Sequence, residues 1–250
     1  MDDRNIIIEI PQGLGDAVYC YPILKELAIT RYKNYGIYIY RNPHKIIFEP
    51  LKKYCNLLDA APINSLVLKI HYRQRRFLKT TQYEDLVISA KLPNPPHFIF
   101  DWDKKFTDKF SENVLSKIKR HYLIVKEPCA AHMHKNINKQ SVDPDPKFMQ
   151  EYVDFYRKSL FIISVGQNEK FSHRLKNIDL DLVDRIDNIE DYINLVKHSS
   201  VILTQAGHLV PLAQAFNRRH RIFYPANNRF PYIRPEKLNQ LFSKNYKWKK

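Results

Sequence analysis

The sequence predicts an α/β protein made of two parallel-sheet halves, and three observations carry that prediction. Short β-rich runs alternate with longer segments of helical periodicity, the pattern of parallel strands joined by helical crossovers. The alternation begins afresh near His121. Twice, a strand runs into a small-residue turn that opens a helix, once at Gly13-Leu14-Gly15-Asp16 and once at Gln205-Ala206-Gly207-His208.

In chain order, Ile6 to Ile10 is a continuous apolar strand apart from Glu9, and the glycine turn after it opens a helix over Ala17 to Tyr32. Gly36 to Tyr40 reads as a strand, His44 to Leu58 as a helix, and Leu66 to Ile70 as a strand. His97 to Asp101 reads as another strand after the proline-rich Pro93 to Pro96. Lys104 to Lys119 has the pattern of a basic, weakly amphipathic helix at the boundary between the halves. The second series is Tyr122 to Val125 (strand), Lys147 to Lys158 (helix), Leu160 to Val165 (strand), Ile189 to His198 (helix), Val201 to Thr204 (strand), Gly207 to Phe216 (helix) and Arg221 to Tyr224 (strand). The expected domains are 1–115 and 116–250, with the boundary falling between about Phe106 and His121 and the last helix able to cross back to the first half.

The length of 250 residues suits one large domain or two small ones. Hydrophobic residues at 44% and aromatics at 13%, against only 5 glycines, exclude a disordered chain and a collagen-like repeat. The net charge of +15 points to a polyanionic partner: nucleic acid, an anionic membrane surface or a phosphorylated sugar. Three cysteines, Cys20, Cys55 and Cys129, are an odd number without a CxxC spacing, so neither a disulfide framework nor a zinc knuckle is expected. The first apolar run is too short for a signal peptide, and no stretch reaches the roughly 18 apolar residues of a membrane span. A cytoplasmic protein is expected on these grounds.

The residues that suit chemistry fall into three groups. At Gly13 and Gly15 the backbone can approach a ligand closely, and the following helix N-terminus favours an anionic or polar group. The same residues also suit a plain strand-to-helix turn in which Asp16 stabilises the helix start. The turn at Gly207 repeats the device, with Gln205 and His208 on either side. The third group is Lys69, His71, Tyr72, Arg73, Arg75, Arg76, Phe77 and Lys79, where cations interleave with rings as they do in proteins that hold phosphates and stack on bases. A solvated charged face is the alternative. His132 and His134 have an HxH spacing but no third ligand at a recognisable offset, so no metal site is expected.

Gly15-Asp16 followed by Ala17-Val18-Tyr19-Cys20-Tyr21-Pro22-Ile23-Leu24-Lys25-Glu26-Leu27 resembles the N-terminal GD-plus-apolar-plus-proline segment of the heptosyltransferase-like GT-B glycosyltransferases. Ile189 to Ile202, followed by the Gly207 turn, resembles the same family's C-terminal strand, DSG-type loop and donor-binding helix. Gln205-Ala206-Gly207 stands where the family has an acidic-Ser-Gly loop, and the chain is shorter than a usual member. The resemblance implies a GT-B fold of two Rossmann-like domains facing across a cleft. It implies that Asp16 is the general base that takes a proton from the acceptor hydroxyl. It also implies that the amides around Gly207, with Gln205 and His208, hold the donor diphosphate, and that Lys126, His132, His134 and Lys135 supply counter-charge. No metal or other cofactor is then required.

The expected function is transfer of a sugar from a nucleotide-sugar donor to a hydroxyl of a polyanionic acceptor. DNA with hydroxylated bases, such as hydroxymethyl bases, is favoured as acceptor, with Gly13, Gly15, Arg73, Arg75 and Arg76 on the acceptor side. In its compactness and high charge the chain resembles the small GT-B DNA glycosyltransferases of bacteriophages, and a residue usage rich in Lys, Ile, Asn and Tyr suits a phage gene, whose product would work in the host cytoplasm. The alternatives are a heptosyltransferase-like enzyme acting on lipopolysaccharide core and a non-catalytic nucleic-acid-binding module on a GT-B scaffold. The sequence leaves the sugar, the nucleotide, the stereochemistry and the oligomeric state open.

Overall fold

The computed structural model describes residues 4–40, 43–72, 82–127, 146–166, 174–205 and 207–223. The chain divides between Asp103 and Lys104 into two compact units, upstream of the 115/116 boundary read from the sequence. The first contains β1 (Asn5–Glu9), α1 (Leu14–Ile29), β2 (Gly36–Tyr40), a 3-10 segment (Lys45–Lys53), β3 (Asn56–Leu57), β4 (Leu66–Lys69) and α2 (Gln82–Ser89). Its strands are all parallel, in the order β3-β2-β1-β4. The second holds α3 (Asp108–Asn113), β5 (Tyr122–Lys126), α4 (Pro146–Arg157), β6 (Phe161–Val165), β7 (Leu180–Asp181), α5 (Ile189–His198), β8 (Val201–Gln205), α6 (Leu209–Ala215) and β9 (Arg219–Phe223). This sheet is also parallel throughout, in the order β7-β6-β5-β8-β9.

Both central strands are apolar on both faces, as parallel strands covered from two sides must be. In β1, Ile6 and Ile8 are buried, and Ile7 pairs with Tyr38 on one side and Val67 on the other. In β5, Tyr122 to Val125 are all buried, and Leu123 and Val125 pack with Met149 and Val153 of α4 and with Phe223 of β9. Helix α1 is buried nearly all round from Ala17 to Leu24, so its apolar run is a core helix rather than a surface one.

Several sequence expectations are corrected. His44 to Leu58 is not an α-helix: Pro50 lies inside it and cannot donate an i→i−4 hydrogen bond, and the chain makes a 3-10 segment followed by β3. Gly15 and Asp16 belong to the first turn of α1 rather than to a preceding loop, with Gly13 as the N-cap. His97 to Asp101 keeps the alternation of a strand but joins neither sheet among the described residues. Phe98 lies against Tyr19 and Tyr83, Phe100 against Tyr21 and Trp102, and local bonds such as Ile99 N–H to the His97 carbonyl (2.9 Å) replace a ladder. The basic helix expected over Lys104 to Lys119 shortens to α3 and one 3-10 turn at Leu115–Lys117. Thr107 caps α3 while bonding to Asp191 of α5 through its N–H (2.8 Å) and hydroxyl (2.7 Å), which ties this segment to the second unit. The helix α2 and the two-residue strands β3 and β7 were not expected. Among the described residues no helix is long and apolar enough to cross a membrane.

Asp101 fastens the 97–102 strap. Its Oδ2 accepts from Lys25 Nζ (2.6 Å), the Tyr54 hydroxyl (3.0 Å) and the Tyr21 hydroxyl (3.1 Å). Burial pushes this carboxyl up, but the Lys25 and Tyr54 hydrogen bonds and the Lys25 charge outweigh it and hold it below the ordinary range. A carboxyl lowered in the folded state stabilises the fold above its unfolded pKa and loses that contribution as pH falls through the folded value. Asp101→Ala, which leaves three donors without this acceptor, is therefore expected to cost about 2 kcal/mol at pH 7. In urea titrations the gap between wild type and variant should narrow as pH is lowered below the ordinary carboxyl range.

Candidate functional site

In each sheet the order reverses beside the first strand. From β1 the chain builds outward through β2 and β3 and then returns to place β4 on the other side of β1; in the second sheet β8 and β9 reverse the direction of β5, β6 and β7 in the same way. Ligands of open parallel sheets gather outside the carboxyl ends of the strands at such reversals, because the loops there part in opposite directions. Both candidate turns lie at these points: Gly13 and Asp16 follow β1, and Gly207 follows β8, the neighbour of β5.

At the first reversal, Gly13 has an extended backbone (φ −69°, ψ 148°), so a left-handed turn is not what requires a glycine there. The close approach of Asp16 is: a Cβ on residue 13 would stand 2.7 Å from Asp16 Oδ2. Asp16 occupies the third position of α1, where a carboxylate folds back toward the exposed N–H groups of the helix start. Its Oδ1 accepts a short hydrogen bond from the Tyr72 hydroxyl, just beyond β4. Burial, then the Asp16 charge and the hydrogen bond to it, push the Tyr72 hydroxyl far above its ordinary pKa, so it remains a donor. Cys20, one turn further along α1, is fully buried; desolvation first and the Asp16 charge second raise its thiol well above the usual value. Beside this pair, Lys69 Nζ meets Glu9 Oε2 at 3.1 Å across the ends of β4 and β1.

At the second reversal, Lys126 ends β5 and carries its ammonium to within 3.6 Å of where a Cβ on Gly207 would stand. The sequence-predicted pair Lys126 and Gly207 is thus brought together. Gln205 ends β8, paired with Phe223. His208 turns back toward α5, its Nε2 at 2.7 Å from the Tyr192 hydroxyl. Helix α6 runs only from Leu209 to Ala215, shorter than the Gly207 to Phe216 expected, so the cation at the turn rather than a long helix dipole is the feature suited to phosphate here. The next residue after Lys126 is the fully buried Glu127. Its carboxylate accepts from the Ser164 hydroxyl (2.6 Å) and the Leu175 N–H (3.1 Å) and pairs with Arg174 (3.1 Å), which anchors the end of β5.

His132, His134 and Lys135, and likewise Arg73, Arg75 and Arg76, lie outside the described residues. Of the basic and aromatic stretch that begins at Lys69, the described members include Lys69, paired with Glu9, and Tyr72, whose hydroxyl is turned to Asp16. In the sequence Tyr72 reads only as one ring of a basic and aromatic stretch suited to nucleic acid or to a solvated face. No local spacing signals its partnership with Asp16, because it depends on β4 lying beside β1.

No protein-family model and no curated protein sequence matches the chain. Solved structures do. TibC, a dodecameric iron-containing glycosyltransferase from enterotoxigenic E. coli H10407, is similar over 90% of this chain with a TM-score of 0.61 at 12% identity; the chain spans 64% of TibC's length. E. coli ADP-heptose lipopolysaccharide heptosyltransferase II is similar over 96% of this chain and 98% of its own, with a TM-score of 0.55 at 13% identity. A family 9 glycosyl transferase from Veillonella parvula DSM 2008 covers 98% of this chain and 90% of its own, at a TM-score of 0.55 and 8% identity. The fold is therefore the α/β arrangement of two parallel, Rossmann-like sheets found in GT-B heptosyltransferases.

The Gly13–Asp16 contact gives a direct test of the first site. Gly13→Ala should displace the Asp16 carboxylate and break its bond to Tyr72, while costing only about 1 kcal/mol at the helix N-cap. A crystal structure of the variant and its thermal unfolding check the two halves of that statement.

Proposed function

We propose that the protein is a GT-B glycosyltransferase that moves a sugar from a nucleotide-sugar donor to a hydroxyl of an anionic glycan, in the manner of a heptosyltransferase. The observation that carries this reading is the pair of reversal points, one presenting a held carboxylate and the other a cation beside a glycine turn, on a fold shared with heptosyltransferases. In the reaction, the acceptor oxygen attacks the anomeric carbon and gives its proton to Asp16. The bond from that carbon to the donor diphosphate breaks, and the nucleoside diphosphate leaves with the electron pair. Lys126 offsets the charge that gathers on the leaving phosphate, an effect realised in the transition state and so expressed in the rate. ADP-heptose is the first donor to test, because it is the ligand in one TibC structure similar to this chain (TM-score 0.60).

An acceptor of DNA carrying hydroxylated bases is the second reading, and the net charge of +15 favours it. The heptosyltransferase-like fold favours the glycan. The two readings share the donor and differ in the role of Arg73, Arg75 and Arg76.

At 100 times its dissociation constant the true donor should stabilise the protein by about 2.7 kcal/mol, read as a rise in melting temperature across a nucleotide-sugar panel. Asp16→Asn should abolish transfer with donor affinity nearly intact. Lys126→Ala should weaken ADP binding by about tenfold or more, the worth of one charge-assisted bond to phosphate. Transfer by Asp16→Asn within a few-fold of wild type would remove Asp16 from the chemistry.

A salt titration separates the acceptors. On DNA, replacing Arg73, Arg75 and Arg76 together with alanine should lower the magnitude of the salt slope by roughly 0.9 per lost phosphate contact. Equal slopes, or no binding of wild type at low salt, would leave the glycan as acceptor.

A further inference from the structure

We propose that Tyr72 is a positioning residue for Asp16: through its hydroxyl it sets the orientation and the proton affinity of the carboxylate that serves as base. The proposal rests on the glycosyltransferase reading for the role of Asp16, but the coupling between the two side chains stands on geometry alone. Asp16 Oδ1 receives the Tyr72 hydroxyl, and Oδ2 lies 2.7 Å from where a Cβ on Gly13 would stand. A hydroxyl that donates to one carboxylate oxygen restrains the rotation of the carboxylate plane.

The segment that carries Tyr72 is itself anchored. Ile70 N–H donates to the Glu9 carbonyl (2.8 Å), which extends the β1–β4 ladder past the end of β4. His71 N–H donates to Ser89 Oγ (3.0 Å), and that hydroxyl, at the buried end of α2, donates to the Lys69 carbonyl (3.3 Å). Tyr72 thus leaves a strand end whose polar groups are satisfied on either side, as a group that must hold another in register requires. Its hydroxyl donates to the ionised form of Asp16, which favours that form, whereas loss of water around the site disfavours it. Tyr72 therefore controls the pH at which Asp16 can accept a proton.

Tyr72→Phe keeps the ring and removes only the donor. Titration of the carboxyl carbons by NMR, with Asp16 assigned by its absence in Asp16→Asn, should show Asp16 protonating at higher pH in Tyr72→Phe than in wild type. With ADP-heptose as donor, the acid limb of the rate profile should move up by the same amount, and kcat should fall about tenfold or more with the donor KM unchanged. A fluorotyrosine at position 72, a stronger donor in the same place, should move the titration the opposite way, and it serves if Tyr72→Phe does not fold. An Asp16 titration and pH profile that stay in place in an active protein, with only the melting temperature altered, would overturn the proposal. A wild type that neither binds nor turns over any nucleotide sugar would overturn the enzyme reading and with it the base, whereas the carboxyl titration would still report whether Tyr72 governs Asp16.

Discussion

Parallel pairing is the constraint on which the rest of this protein depends. A parallel neighbour cannot be reached through a tight turn, so each strand must be followed by a crossover that returns to the same end of the sheet. Every strand then ends at one edge. When the order reverses beside the first strand, the loops leaving the two central strands separate there. β1 with β4, and β5 with β8, are those pairs, and they bring together residues far apart in the chain: Asp16 with Tyr72, and Lys126 with Gly207.

Acidic side chains do much of the tying in a chain where they are the minority, 26 against 41 basic residues. Asp101 gathers three donors and pins the aromatic strap to α1. Asp191, 2% exposed, accepts from Thr107 twice and from Asn188 Nδ2 (2.7 Å), so the start of α5 and the start of α3 are held by one carboxylate. Glu127 is fully buried and shared among β6, Arg174 and the Leu175 amide. Such groups are costly to desolvate, and removing one partner from a buried set is more damaging than the set's net worth suggests. Glu127 fixes the end of β5, next to Lys126, and Asp101 fixes the strap that packs against α1.

The same accounting limits what net charge says about a ligand. Arg221 lies 4.1 Å above the Tyr152 ring and near Phe148 and Phe223, so its guanidinium covers aromatic core. Arg174 is spent on Glu127 and Asp181, and Lys69 on Glu9. Arg218, Arg219, His220 and Arg221 are four basic residues in succession, and Arg221 among them packs on aromatic rings.

The sequence by itself determined the fold class and most of its elements. Continuous apolar strands such as Ile6 to Ile10 and fully periodic helices such as Ile189 to His198 announce themselves, because each owes its pattern to burial within one short segment. It also located both turns, at Asp16 and at Gly207. What only the tertiary structure decided is everything that needs a partner distant in the chain. The alternation of Phe98, Phe100 and Trp102 is the same whether it faces a sheet or α1, and only its packing on Tyr19 and Tyr21 of α1 shows it to be a strap. Tyr72 carries no mark of its role, since its hydroxyl finds Asp16 through the order of strands, and strand order is set by how whole layers pack rather than by any local spacing of residues.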